Sequence, residues 1–355
     1  MPHSPHVIVF ASPIVIIYKE KDRSTKKPAF TKLLAARLGS LLILFIMSSC
    51  ATVHIGIDIL RGKDRDQELA VPPLVWKVLE QEKSQGSENI DNLNSAPLVY
   101  TLGRISFPPL AFWAVRINLA SPLVQIVVGP EPLAYGFVPS VRVSRFAEQY
   151  GCTVAINTNP FDPVSDREGE ERRVVGLAVQ EGRIFSDPVP AFGALLIGMD
   201  GIARIAEQTD IPIAGKVDSP AAVLNVLDAE SVRYGVGGFY QVLKDGIPLK
   251  GRTSRAPRSA VGVSRDGTTL ILLAVDGRLL DSVGATEYET AQILLGLGAW
   301  DGLLLDGGGS TSLVIRKPNS PAEILNHPVH DGTLNRERAV ATCLGIRLIS
   351  QVDSK

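Results

Sequence analysis

Histidine and cysteine are scarce in this chain of 355 residues, with five of the first and three of the second. No C-x-x-C pair and no His-rich pair occurs, so a structural zinc site is not expected. An excess of charge is missing too. Lys and Arg number 36 against 37 Asp and Glu, a formal net charge of −1. Such a chain has no global field to draw in a nucleic acid or an anionic membrane. No Lys/Arg-rich stretch interleaved with aromatics appears, which excludes a nucleic-acid partner on the usual grounds. What is plentiful is glycine and proline, 32 and 24 residues. That suits a strand-rich fold with many turns better than a helical bundle.

The N-terminal region has the composition of a targeting segment. Lys26, Lys27, Lys32 and Arg37 precede the apolar stretch Leu38 to Met47. That stretch is too short to span a bilayer and suits the apolar part of a signal peptide. It ends in Met47-Ser48-Ser49-Cys50, which resembles a bacterial lipobox, in which the cysteine is lipidated. The expected organisation is therefore a lipoprotein-type signal peptide over residues 1–49, with a start placed too early. A stalk over 50–95, lipid-anchored at Cys50, would follow, and then a folded domain over 96–350. Within the stalk, Leu74 to Leu79 reads as a short helix. Cys152 and Cys343 lie in or beside apolar β-type runs and read as buried free thiols.

Inside the folded region, strands are expected at Leu98–Leu102, Phe112–Leu119, Val124–Val128, Thr153–Asn157, Gly176–Gln180 and Ala194–Gly198. More are expected at Val223–Val226, Tyr240–Lys244, Ser259–Val263, Leu270–Val275, Gly302–Asp306, Leu313–Arg316 and Cys343–Leu348. Glu181-Gly182, Asp200-Gly201, Asp245-Gly246 and Asp266-Gly267 are dipeptides of hairpin type. Two helices stand out. Val143 to Tyr150 follows Ser140 and runs into Gly151, and Thr286 to Gly298 opens on a Thr-x-x-Glu capping box closed by Glu289. The fold class read from this is α+β: a mixed, largely antiparallel sheet with helices packed against it, in one domain.

The most informative segment is Leu303-Leu304-Leu305-Asp306-Gly307-Gly308-Gly309-Ser310-Thr311-Ser312-Leu313. An apolar run stops at a carboxylate, crosses three glycines and three hydroxyls, and becomes apolar again. Glycines in such a loop serve a turn with positive φ or the approach of a ligand to backbone N–H groups. A tight hairpin with Asp306 as its turn cap is the competing explanation. Asp276-Gly277-Arg278 ends the apolar run Leu270 to Val275, and by itself it would read as an Asp-Gly turn with a solvated arginine.

In order and spacing, five segments resemble the phosphodiester glycosidase family: Asn157-Thr158-Asn159-Pro160-Phe161, Arg258 before Ala-Val-Gly-Val, Asp276-Gly277-Arg278, the Asp306 loop, and Glu337-Arg338. The resemblance covers roughly residues 96–350. It implies cleavage of the sugar–oxygen bond of a sugar-1-phosphodiester. Asp306, Asp276 and Asn157 are then the candidate catalytic residues. Arg258, Arg278, Gly307, Gly308, Gly309, Ser310, Thr311, Glu289 and Arg338 are the candidates for holding substrate and phosphate. Glu289 is also accounted for by the capping box, and Glu337-Arg338 by an internal ion pair. Arg252 and Arg255 read as a solvated loop. No cofactor or metal is implied. The expected partners are a glycoconjugate or sugar-phosphate substrate and, through the N-terminal lipid, a membrane. The expected place is the bacterial envelope, outside the cytoplasm.

The chain departs from the family pattern in two places. Thr158, Asn159 and Pro160 replace two glycines and an aromatic after Asn157, and Leu304 replaces an asparagine. These changes leave open a catalytically degenerate glycopolymer-binding lipoprotein on the same fold. A metal-dependent phosphodiesterase cutting the P–O bond would want a His/Asp cluster. The pair His327 and His330 is too isolated in sequence to suggest one.

Overall fold

The computed structural model describes residues 77–83, 96–210, 213–214, 223–224 and 232–349. The expected signal peptide, Cys50 and most of the expected stalk lie outside the described residues. Eight strands form the largest sheet. Their order is Lys77–Lys83, Leu98–Ile105, Leu110–Asn118, Thr269–Val275, Arg258–Val263, Asp301–Leu304, Gln241–Lys244 and Ile247–Pro248. A second sheet has five strands: Glu323–Ile324, Leu313–Ile315, Val154–Asn157, Cys343–Leu348 and Val124–Gly129. A third, also of five, is built on Val232–Gly237 and Gly193–Gly198.

Alternation along the strands sorts the side chains between two layers. Val261, Leu272 and Leu303 of the largest sheet, with Leu305 just beyond it, meet Val154, Ile156, Leu313 and Leu344 of the second sheet in the main core. Ala260, Ile271, Leu273 and Leu304 face the other way and pack on Ala291, Ile293 and Leu294 of the helix Glu287–Gly296. The helix Val143–Gln149 covers the outer face of the second sheet through Phe146 and Ala147, against Ala155, Val314 and Cys343. The layers run helix, sheet, sheet, helix. Fully burying one such Leu or Val stabilises by roughly 1.5–3 kcal/mol, so a core this continuous fixes the strand ends firmly.

The expected α+β fold is corrected in one respect. The described sheets pair antiparallel throughout, and only two α-helices occur among the described residues, so the fold is more strand-rich than expected. The expected helix at Leu74 to Leu79 is also corrected, since Lys77–Lys83 is an edge strand paired antiparallel with Leu98–Ile105. Lys77, Glu80, Glu82 and Lys83 give it a charged composition, common in edge strands.

Local chemistry explains several boundaries. Thr286 Oγ1 accepts from the Glu289 N–H at 3.1 Å, and Glu289 Oε2 accepts from the Thr286 N–H at 2.9 Å, the reciprocal cap read from the sequence. The other helix starts differently. Ser140 does not cap it. The carboxylate of Glu337, distant in sequence, accepts from the Ser144 N–H at 3.0 Å and its hydroxyl at 2.5 Å. Glu181-Gly182 and Asp245-Gly246 turn with positive φ at both residues, as two-residue hairpins require. Cys152 and Cys343 are buried free thiols, and burial pushes Cys152 up to about 12. No helix among the described residues is long and apolar enough to cross a membrane.

Candidate active site

The strand Asp301–Leu304 ends before the Gly-rich loop, so Asp306 sits beyond the strand, where the chain crosses from the largest sheet to the second. Two bonds fix the crossing. The Asp306 N–H donates to Thr158 O at 2.8 Å, and Asn157 Nδ2 donates to Asp306 O at 2.5 Å. Asn157 is fully buried, and its Oδ1 accepts from Ser259 Oγ at 2.8 Å and from the Ser312 N–H at 3.2 Å. It ties both sheets to the backbone of Asp306. Expected as a catalytic residue, Asn157 is fully buried and engages both polar atoms of its amide within the protein.

The loop folds into one 3-10 turn, Gly308–Ser310. Gly308 adopts φ +62, which an L side chain rarely tolerates. A Cβ on Gly309 would lie 2.5 Å from Arg338 Nη2 and 3.0 Å from His330 Nδ1, so glycine is what admits these two groups. The Gly308 N–H donates to Pro257 O, and those of Ser310 and Thr311 turn back on Gly307 O and Gly308 O. Among the described residues this leaves the N–H groups of Gly307 and Gly309 without an acceptor. Thr311 is fully buried, so its expected role as a phosphate donor is withdrawn.

A chain of polar contacts crosses the loop. Ser310 hydrogen-bonds the Asp306 carboxylate. Arg338 Nη1 donates to Ser310 Oγ at 3.1 Å, while its Nε and Nη2 reach His330 Nδ1 at 3.3 and 3.0 Å. A guanidinium only donates, so His330 Nδ1 is the acceptor and the ring proton sits on Nε2, toward Asp166. Burial and the charge of Arg338 lower the His330 pKa, which keeps the imidazole neutral at pH 7. Burial pushes Asp306 up to about 6, although the Ser310 bond and the charge of Arg338 both pull it down. The side chain of Asp306 is partly exposed, but protein surrounds the carboxyl closely enough for desolvation to dominate. Arg278, with φ +64, donates from Nη1 to Val329 O at 3.0 Å, and its Nη2 lies against Gly308. A cavity of about 330 Å³ opens beside Arg338 and His330 under the loop that carries Asp166.

Other expected site residues are engaged elsewhere. Arg258 donates from Nε to Ala285 O at 3.0 Å and from Nη2 to Ser254 O at 2.8 Å, so two of its donors hold backbone. Glu289 closes the helix cap, as the Thr-x-x-Glu pattern implied, and takes both Nη groups of Arg255, which lies at the surface, at 2.6 and 2.8 Å. Arg252 is exposed, as expected, with its guanidinium over the Tyr240 ring. Asp276 is buried, and its two oxygens accept from the His327 N–H and meet His327 Nδ1, both at 2.7 Å. It holds His327 against Trp113 and is not an Asp-Gly hairpin residue. Glu337 and Arg338 do not pair with each other. The first binds a helix start, the second the site.

Sequence reasoning missed His327 and His330, because neither their spacing nor their neighbours signal the contacts that the fold creates. Asp166, His330 and Asp331 bring three potential ligand atoms within 4.8 Å of one another. Arg336 already pairs with Asp166, and Arg338 occupies the other ring nitrogen of His330. A cation there would have to displace the first and compete with the second, so this donor set fits an ion network better than a metal.

The departures from the family pattern are interior. Thr158 Oγ1 donates to Thr342 Oγ1 at 2.9 Å. The Asn159 amide donates to the carbonyls of Val175, Gly176 and Leu177, and its oxygen accepts from Thr342. Leu304 packs under the helix Glu287–Gly296. None of these side chains lines the cavity beside Arg338.

Comparison with known proteins bears on the family and the fold. The phosphodiester glycosidase family model matches residues 150–347. The SPbeta prophage-derived uncharacterized protein YomE of Bacillus subtilis (strain 168) is 26% identical over 231 residues, covering 62% of this chain and 31% of that protein. The chain thus spans about a third of the length of that curated relative. The catalytic domain of zebrafish N-acetylglucosamine-1-phosphodiester alpha-N-acetylglucosaminidase, auto-inhibited by its pro-peptide, superposes with a TM-score of 0.50 at 19% identity, over 79% of this chain and 85% of that one. A protein of Burkholderia pseudomallei K96243 gives a TM-score of 0.51 at 14% identity, over 67% of this chain and 74% of that one. At these identities the solved structures speak for the fold.

Proposed function

Because the chain belongs to the phosphodiester glycosidase family, we propose that it hydrolyses the sugar–oxygen bond of a sugar-1-phosphodiester, with Asp306 as the group that faces the anomeric carbon. The observation that carries this reading is the contact chain Asp306–Ser310–Arg338, at the end of a buried strand and beside a cavity. Leaving-group departure develops positive charge on the sugar and negative charge on the phosphate oxygen. A carboxylate on one side and guanidinium groups on the other match that separation. Arg338 and Arg278 hold the phosphate, helped by the N–H groups of Gly307 and Gly309. Water supplies hydroxyl to the anomeric carbon and its proton to the departing phosphate, giving free sugar and a phosphomonoester. The interior placement of Thr158 and Asn159 supports a working hydrolase over a degenerate binding protein on the same fold.

The sequence before residue 51 supports export and lipid anchoring at Cys50, with an envelope glycoconjugate as substrate. In that reading Cys50→Ala abolishes lipid labelling and detergent partitioning; unchanged labelling overturns the anchor. The chemistry is tested by hydrolysing an N-acetylglucosamine-1-phosphodiester in ¹⁸O water. Label in the released sugar supports the proposed bond cleavage, and label in the phosphate refutes it.

A further inference from the structure

Asp166 lies outside the segments that carry the family pattern, in the loop that walls the cavity beside Arg338. Charge and backbone contacts hold that loop. Arg172, whose side chain is 1% exposed, donates from Nη2 to Arg167 O at 3.2 Å and to Glu170 Oε2 at 3.1 Å. Glu168 Oε1 accepts from the Arg142 N–H and its Oε2 from Arg142 Nη1, both at 2.8 Å. Ser140 Oγ donates to Arg167 O at 2.8 Å, and the Gly169 N–H donates to Ser140 O at 2.7 Å. A buried arginine spent on bracing a loop makes the place of Asp166 a fixed feature of the fold.

The Asp166 carboxylate faces two partners. Its Oδ1 meets His330 Nε2, and its Oδ2 meets Arg336 Nη2. Asp331 Oδ2 also stands 3.4 Å from His330 Nε2, but from a side chain that is 68% exposed, against 24% for Asp166. On the other edge of the imidazole, Nδ1 takes Nε and Nη2 of Arg338, and both groups lie against the bare Cα of Gly309. With Nη1 given to Ser310, Arg338 keeps the second N–H of each terminal nitrogen for a ligand among the described residues. Which ring nitrogen of a histidine bears the proton is set by what the other nitrogen meets. An anionic acceptor at Nε2 holds the proton there and leaves Nδ1 a lone pair for the guanidinium. With the proton on Nδ1, two donors would face each other across the same 3.0 Å.

We propose that Asp166 is a positioning residue, which fixes the tautomer of His330 and through it sets the Arg338 guanidinium to receive a phosphate. This rests on the reading that Arg338 holds the phosphate of the substrate, and adds the group that orients it. Arg336 secures the carboxylate from its far side, so that Oδ1 stays turned to the ring. The loop that carries Asp166 also walls the cavity, so the orientation of Arg338 depends on that wall being in place.

Two measurements on the whole protein test this: the tautomer of His330, from ¹⁵N NMR of histidine-labelled protein assigned with His330→Gln, and the affinity for inorganic phosphate. The parent should carry the proton on Nε2 and bind phosphate. In Asp166→Asn, Arg336 claims the amide oxygen, so an amide N–H turns to His330 Nε2 and the ring proton moves to Nδ1. Phosphate affinity should then fall by about tenfold, the scale on which a supporting hydrogen bond tunes the group it orients. Asp331→Asn should change neither reading. In His330→Gln the side-chain oxygen accepts from Arg338 whatever faces it, so adding Asp166→Asn should cost no more than about twofold. A parent with the proton on Nδ1, a parent that binds no phosphate, or a folded Asp166→Asn that keeps tautomer and affinity overturns the proposal. So does an equal loss in the His330→Gln background, or an effect as large from Asp331→Asn. If Asp166→Asn does not fold, Asp166→Ala replaces it: both tautomers populated with weaker phosphate binding support the proposal, and parent behaviour refutes it. Failure of the parent to cleave an N-acetylglucosamine-1-phosphodiester defeats the hydrolase reading alone, because neither measurement uses turnover.

Discussion

Arg258 and Arg338 are both half-buried arginines in the segments that resemble the family pattern, and burial lowers the pKa of each. Arg258 gives its Nε and Nη2 to carbonyls of the Ser254–Ala285 region and braces a loop. Arg338 spends its donors on Ser310 and on the accepting nitrogen of His330, and the charge of Asp306 is among those it feels. The difference lies in what each guanidinium meets. Backbone carbonyls immobilise a guanidinium for structure, whereas a hydroxyl and a neutral imidazole beside a cavity hold it ready for an anion. Arg258 and Glu289 therefore brace the scaffold around the helix Glu287–Gly296, whereas Arg338 and Asp306 are the pair proposed for the chemistry.

The largest expected effect lies on the Asp306 side. Asp306→Asn keeps size and most hydrogen bonding but removes the charge facing the sugar. Turnover should fall by about a hundredfold or more, the scale of a single electrostatic contributor. Stability should move the other way. A carboxyl whose folded pKa is raised to about 6 binds its proton more tightly in the native state, so it costs stability as pH rises from the ordinary carboxylate range to that value. Above pH 6 the asparagine variant should melt no lower than the parent. Parent-like turnover would return Asp306 to the role of a turn cap.

Exchanging the two arginines sharpens the contrast. Arg338→Lys should raise KM by about tenfold or more with little change in Tm, since an ammonium cannot reproduce the fork that meets Ser310 and a phosphate. Arg258→Lys should instead cost about 1–2 kcal/mol in thermal or denaturant melting, with KM within about twofold of the parent. Equal KM effects in the two variants would erase the division between scaffold and site. The smallest effect is expected from Glu289→Gln. Glutamine still completes the capping box, so the loss is of the Arg255 pair alone, about 1 kcal/mol or less, and turnover should stay within about twofold.

Much of the fold was legible from periodicity and turn chemistry. Leu270–Val275, Cys343–Leu348 and the helix with the Thr286–Glu289 box appear where pattern and capping put them, because local and tertiary preferences agree there. Lys77–Lys83 was misread because a charged edge strand takes its shape from its neighbour's free hydrogen-bonding groups, which local sequence does not display. Val232–Gly237 was missed altogether, although five of its six residues are buried between two partner strands. Asp306, Ser310 and Arg338, singled out in the sequence, are brought by the fold into one chain of contacts. Asn157 was found, but its role was not, since nothing in its sequence reveals that Ser259, Ser312 and Asp306 converge on it. His327 and His330 became meaningful only once folding set them beside Asp276 and Arg338.

The most direct measurement is the pH dependence of kcat/KM for an N-acetylglucosamine-1-phosphodiester between about pH 4 and 8. With Asp306 acting as a carboxylate held at about 6 by burial, the rate should climb as pH rises through that value and then level off. In Asp306→Asn the residual rate should show no such limb. A flat parent profile, or a limb that persists unchanged in Asp306→Asn, would contradict the assignment of Asp306 as the group that works on the sugar.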